Sequence, residues 1–218
     1  MVFARTIPLV LLAIAFVSPP EICQGQWGGC RQVSCEYSVP TPTFQTQILR
    51  PDLMSSVRRI AMLDFENGTR VHGLDRRVRT QFAAALRSGG KYDVADVGAA
   101  FPQPCQVEAV LRSQYPIQIL ADCWRYYRAE AVLFARIDEF QSYSPLGIGF
   151  TAHIVDSQDA ILIATVNDFW SLDDPEIARA YRDWLRKRHR KCKDLEIFLK
   201  SPREFSAFVM DRISQELK

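Results

Sequence analysis

A chain of 218 residues with 48% hydrophobic and 24% charged residues has enough apolar side chains for a folded core and too many to be disordered. A formal net charge of +2 excludes a global electrostatic case for nucleic acid as the partner.

Residues 7–17 (IPLVLLAIAFV) form an apolar run with Arg5 ahead of it and Ser18-Pro19-Pro20 behind, the layout of a secretory signal. The run is interrupted by Pro8 and is about half of the roughly 20 residues that a membrane-crossing helix needs. The expected cut is after Gly25, which makes residues 1–25 a signal peptide. The rival reading is a lipid on Cys23, although Pro20-Glu21-Ile22 approaches it poorly, since such sites want a leucine followed by small residues. Either way the expectation is an exported protein, periplasmic or associated with an outer membrane. A cut at Gly25 leaves Cys30, Cys35, Cys105, Cys123 and Cys192. In an oxidising compartment an odd count leaves one thiol free or paired between chains.

Residues 26–56 hold Gly28-Gly29, Pro40 and Pro42 without a sustained period of either 2 or 3.6, and read as an irregular arm or tether. Cys30 and Cys35 lack a second cysteine pair or a close histidine to complete a zinc site. A small disulfide loop is the better expectation.

From residue 57 to residue 218 the pattern is that of one α/β domain. Ile60-Ala61-Met62-Leu63 followed by Phe65 is too continuously apolar for a strand with one wet face, so both faces should be buried. Leu74, Val78, Phe82, Ala85 and Leu86 recur at helical spacing until Gly89-Gly90, and residues 92–97 alternate as a second strand. Val107, Val110 and Leu111, then Ile117, Leu120, Trp124 and Tyr127, predict a helical hairpin broken near Pro116. Cys105 and Cys123 flank that break, which with export predicts a disulfide between them. Residues 131–140, 148–156 and 160–169 are strand-like runs with short links, hence antiparallel neighbours. Two carboxyl-terminal helices follow, the second with Pro202 in its first turn. The expected fold is α/β (α+β): a mixed sheet of about five strands with helices packed on it.

The blocks RRIAMLDFENGT, KYDVADV, AEAVLFARIDEF and GIGFTAHIVDSQDAILIATVNDFW resemble, in order and spacing, those of the bacterial envelope domains typified by the curli secretion protein CsgG, the penicillin-binding-protein activator LpoB and the amino-terminal domain of TolB. The likeness covers about residues 58–170. The chain departs from it at the turn Asp156-Ser157-Gln158-Asp159, where the family usually carries Thr-Gly, and the loop after the first strand is too short for a pore's membrane hairpins. The resemblance implies a non-catalytic envelope module that docks onto other proteins in the assembly or regulation of envelope machinery.

The residues themselves offer little for catalysis. Asp64 and Glu66 should point to one face of a strand with nothing nearby in sequence to complete a site, so a solvated strand end or a helix-capping role is the better reading. His72 and Asp75 fall at the start of the first helix, where Asp75 suits the helix dipole. His153 should lie on the face opposite Phe150, Ala152 and Ile154, half-exposed. Gly89-Gly90-Lys91 follows a helix instead of opening one, unlike a phosphate-binding loop. No catalytic residue, metal ligand or cofactor site is therefore assigned. The competing class, an envelope hydrolase or other enzyme, would require Asp64, His72, His153 and Asp156 to converge in a pocket.

Residues 186–193 (RKRHRKCK) place Arg186, Lys187, Arg188, Arg190, Lys191 and Lys193 in eight positions behind the anchoring Trp184 and Leu185. Such a run is either a solvated helix face or a contact for an anionic surface. An envelope protein, an anionic membrane surface or a wall polymer are the partners that this chemistry fits. Nucleic acid is not, because the aromatic interleaving that stacks single strands is missing. Nothing in the pattern predicts an oligomeric state.

Overall fold

Ile60, Ala61, Met62 and Leu63 are all buried because the strand that they build is covered on both faces, as their unbroken apolar run requires. The computed structural model describes residues 45–101, 110, 112–190 and 195–218, all within the unit Pro40–Lys218. In chain order the elements are β1 (Thr46–Ile48), α1 (Pro51–Ser56), β2 (Arg59–Met62), β3 (Glu66–Asn67), α2 (Leu74–Ser88), β4 (Asp93–Asp96) and a single 3₁₀ turn (Gly98–Ala100). There follow α3 (Ile117–Tyr127), β5 (Ala131–Gln141), β6 (Gly147–Asp156), β7 (Leu162–Ser171), α4 (Pro175–Arg188), α5 (Glu196–Leu199) and α6 (Pro202–Glu216).

The strands form one mixed sheet in the order β1-β7-β6-β5-β2-β4, with β3 also paired to β5. β2 runs parallel to β4 and β5, while β5, β6, β7 and β1 are successively antiparallel. The sheet has seven strands against the expected five or so. β1 and β3 make the difference, and strands of three and two residues are too short to show a period. β1 also corrects the arm: Thr46–Ile48 pairs with β7, and α1 buries Met54 in the core, so the fold begins before residue 57.

One face of the sheet carries α2, α4 and α6. Leu74, Val78 and Phe82 of α2 and Phe205 and Phe208 of α6 join Ile60, Leu133 and Phe150 in a single cluster. α3 covers part of the other face, packing Ile119, Leu120 and Cys123 on Leu63, Val132 and Phe134. The helix ends follow local chemistry. Asp174 caps α4 by accepting from the amides of Glu176 and Ile177, and Ser201 caps α6 by accepting from Glu204. The Pro202 expected in a first turn is there.

The turn between β6 and β7 closes without glycine. The Asp156 carboxylate accepts from the amides of Gln158 (2.9 Å) and Asp159 (2.7 Å), an Asx turn, and Ala160 takes the left-handed conformation at φ 56°. Ser157 ties the turn to the carbonyls of Ala129 and Glu130.

Candidate functional site

In open sheets with parallel strands, ligands bind beyond the carboxyl ends of the strands where the chain order reverses. Here that place lies beyond β2, whose parallel neighbours β4 and β5 stand on opposite sides. A side chain already fills it. Arg79, from the second turn of α2, pairs with Asp64 at 3.1 Å and with Asp96, and donates from Nε to the Leu63 carbonyl at 3.0 Å. Its side chain is only 13% exposed. Gly98 abuts the Asp64 carboxylate so closely that a Cβ there would collide with it.

Glu66 goes elsewhere. β2 breaks after Met62 and the chain resumes pairing as β3, which separates the two carboxylates expected on one strand face. Glu66 meets Arg136 at 3.0 Å, and Arg136 Nε lies 2.9 Å from Asp138. Burial is the main cause that raises the Glu66 pKa above the usual carboxylate range; Arg136 opposes it and Asp138 adds to it. Asp138, two residues beyond Arg136 on β5 and so on the same face, accepts from Thr151 Oγ1 at 2.6 Å. Asp64 and Glu66 thus belong to separate ion-pair groups, each built around an arginine. Arg79 and Arg136 had no signal in the sequence, because their acids lie up to 70 residues away.

The other acid–base candidates do not converge. His72 is exposed, Asp156 holds its turn, and His153 bonds through Nδ1 to the Tyr115 hydroxyl at 3.0 Å. His153 lies opposite Phe150, Ala152 and Ile154 as expected, but it is 7% exposed, buried under the Tyr115 ring instead of half-exposed. Among the described residues no three His, Cys, Asp or Glu side chains are grouped to hold a metal ion.

Cys123 is a free, buried thiol. Burial first and Asp122 second push it up to about 12. The disulfide expected between Cys105 and Cys123 is therefore not formed at Cys123. Cys105, Cys30 and Cys35 lie outside the described residues.

The basic run divides into tethered and free charges. Leu185 is buried and Trp184 donates to Asp211 at 2.8 Å, which anchors the end of α4. Arg186 pairs with Asp183 at 3.0 Å. Arg188 lies 3.5 Å from Glu204 and 4.8 Å over the Trp184 ring. His189 stacks on Phe198 with centroids 4.0 Å apart and meets the same Glu204 at 3.3 Å. Lys187 and Arg190 are exposed and form no ion pair with a described acid. Lys191 and Lys193 lie outside the described residues.

No protein-family model matches the chain, and no curated protein is significantly similar to it. Several solved structures share part of the backbone arrangement. PelC from Paraburkholderia phytofirmans, a dodecamer, is 16% identical over 59% of this chain and 80% of its own, with a TM-score of 0.42. The lipoprotein GNA1162 from Neisseria meningitidis is 14% identical over 62% and 99%, with a TM-score of 0.39. Protein XCC0632 from Xanthomonas campestris is 11% identical over 75% and 85%, also with a TM-score of 0.39. Among the described residues no helix is long and apolar enough to cross a membrane.

Proposed function

We propose that this chain is an exported, non-catalytic accessory module of a bacterial cell envelope, and that it works by binding an anionic partner through the carboxyl end of α4. The carrying observation is the division of its charges. The acids that could do chemistry at the strand ends are held by Arg79 and Arg136, whereas Lys187 and Arg190 stand exposed without an acidic partner among the described residues. A charge that no fold contact uses is available to an envelope protein or an anionic membrane surface. The signal-like residues 7–17 support export.

Cross-linking in native envelopes tests this reading. The wild-type chain should recover the same partner in repeated captures, and recovery should fall as salt rises, because exposed charges are screened within about 8 Å at physiological ionic strength. Lys187→Gln with Arg190→Gln should weaken that recovery. Undiminished recovery by the variant would overturn the role given to the end of α4.

A further inference from the structure

Asn67 ends β3 and Gly68 follows it, a pair that plays no part in the function proposed above. Asparagine is a thermally labile residue. It loses ammonia most readily before glycine, because a successor without a side chain lets its backbone nitrogen reach the asparagine Cγ. The chain has two asparagines, and the other, Asn167, is followed by Asp168, whose side chain obstructs that approach. Intrinsic reactivity is thus concentrated at Asn67.

The fold holds every group that the reaction needs. Asn67 Nδ2 donates to the Val71 carbonyl at 2.8 Å, and Oδ1 accepts from the Thr69 amide at 3.0 Å and the Thr69 hydroxyl at 2.7 Å. This is an Asx turn with a second clasp behind it, since the Val71 amide donates to Thr69 Oγ1 at 3.2 Å. The attacking nitrogen is held as well, because the Gly68 amide donates to the Ile137 carbonyl at 2.9 Å, which directs its N–H at β5. A Cβ on Gly68 would stand 2.9 Å from the Ile137 oxygen and 3.0 Å from the Arg136 guanidinium. The glycine that makes the site reactive is therefore also the residue that the packing requires. The hold is no stronger than β3 itself, a strand of two residues paired with β5, and so short a segment opens at lower free energy than the central sheet.

We propose that Asn67 is a self-modification site gated by β3: it stays intact while the strand is paired and reacts when the strand leaves β5. In the open state the Gly68 nitrogen loses its proton to solvent and attacks Asn67 Cγ. The new C–N bond closes an imide ring, and the side-chain nitrogen leaves with a proton as ammonia. Water then adds to either imide carbonyl and reopens the ring, giving aspartate or isoaspartate at position 67; it is the only co-reactant. Isoaspartate takes the backbone through its Cβ and so lengthens it, and the register of Asn67 with Ile137 and the seat of Gly68 on β5 cannot both re-form. Either product also replaces the donor to Val71 with an acid. The reaction thus marks, and then traps, the opening of β3.

Peptide mapping by mass spectrometry tests this on the full chain, held at mildly alkaline pH in native buffer and in guanidinium chloride, with the Asn67 and Asn167 peptides followed side by side. In denaturant Asn67 should convert and outpace Asn167. In native buffer its conversion should be slower by about tenfold or more, the factor expected when β3 is open in fewer than about one molecule in ten. Thr69→Val removes the hydroxyl from both of its bonds and should speed conversion of the folded chain, whereas Thr69→Ser keeps the hydroxyl and should match the wild type. Equal rates in the two solvents would overturn the gate, and an Asn67 that stays intact in denaturant would overturn the site. A Thr69→Val chain that converts at the wild-type rate would overturn the clasp. Hydrogen exchange of the Gly68 amide reads the gate without any substitution: it should exchange faster than the paired amides of β5 and β6, and equal protection would overturn opening at β3 alone.

Discussion

Arg79 shows how much a single long side chain can decide. Its guanidinium serves two acids and a strand-end carbonyl at the place where a sheet of this topology would otherwise receive a ligand. Removing a partner from a buried ion pair leaves an uncompensated charge, at a cost of about 3–5 kcal/mol in fully buried cases. Asp96 is well exposed, so Arg79→Leu should cost less, about 2 kcal/mol, read from the urea midpoint. Glu66 makes the opposite case. Burial raises its pKa above the ordinary value of 4.5, so between the two values the folded chain holds a proton that the unfolded chain has lost. Its stabilising share is therefore complete below the unfolded value and disappears as pH rises through the folded one. Glu66→Gln stays neutral throughout, and should match the wild type near about pH 4 and exceed it in stability at about pH 7. Urea midpoints at both pH values check this; a less stable variant at neutral pH would mean that the Arg136 pair outweighs burial.

At the level of the elements, the turn between β6 and β7 shows how a tight link between strands closes without glycine. Asp156 supplies from its side chain the amide partners of the turn, and Ala160 accepts a left-handed backbone. That conformation costs an L-residue roughly 1–2 kcal/mol, part of which glycine's larger loss of freedom on folding would offset. Ala160→Gly should accordingly raise stability by about 0.5–1 kcal/mol, measured as a higher melting temperature. One sheet edge is guarded at the same level. β4, the last strand in the order, is short and has an exposed aspartate at each end, which discourages edge-to-edge pairing.

Across the whole molecule, charge is spent on the fold in some places and left to solvent in others. Arg188 ties α4 to α6 through Glu204 and lies over Trp184, so Arg188→Gln should cost about 1 kcal/mol. Lys187→Gln with Arg190→Gln should change stability by less than about 0.5 kcal/mol, because neither makes an ion pair to lose among the described residues. Thermal melts of the two variants side by side check the contrast. A large loss in the second would place Lys187 and Arg190 within the fold's own network and remove them as a contact surface.

Wherever burial repeats along an element, the sequence by itself determined the outcome. The doubly buried β2, the amphipathic α2, the antiparallel run from β5 to β7 and the capped start of α6 all carry a period or a terminal signal within a few residues. The facing of His153 was legible for the same reason, since side chains alternate along a strand. Only the tertiary structure decided what the charged residues do. Asp64 and Glu66 read alike in the sequence, yet a break after Met62 sends them to arginines on α2 and β5. Arg188 and Lys187 are neighbours in one basic run, yet the first meets Glu204 while the second does not. Hydrophobic burial is written locally because each element must present an apolar stripe of its own, whereas an ion pair depends on which distant side chain the packing of helices on the sheet brings within a few ångströms.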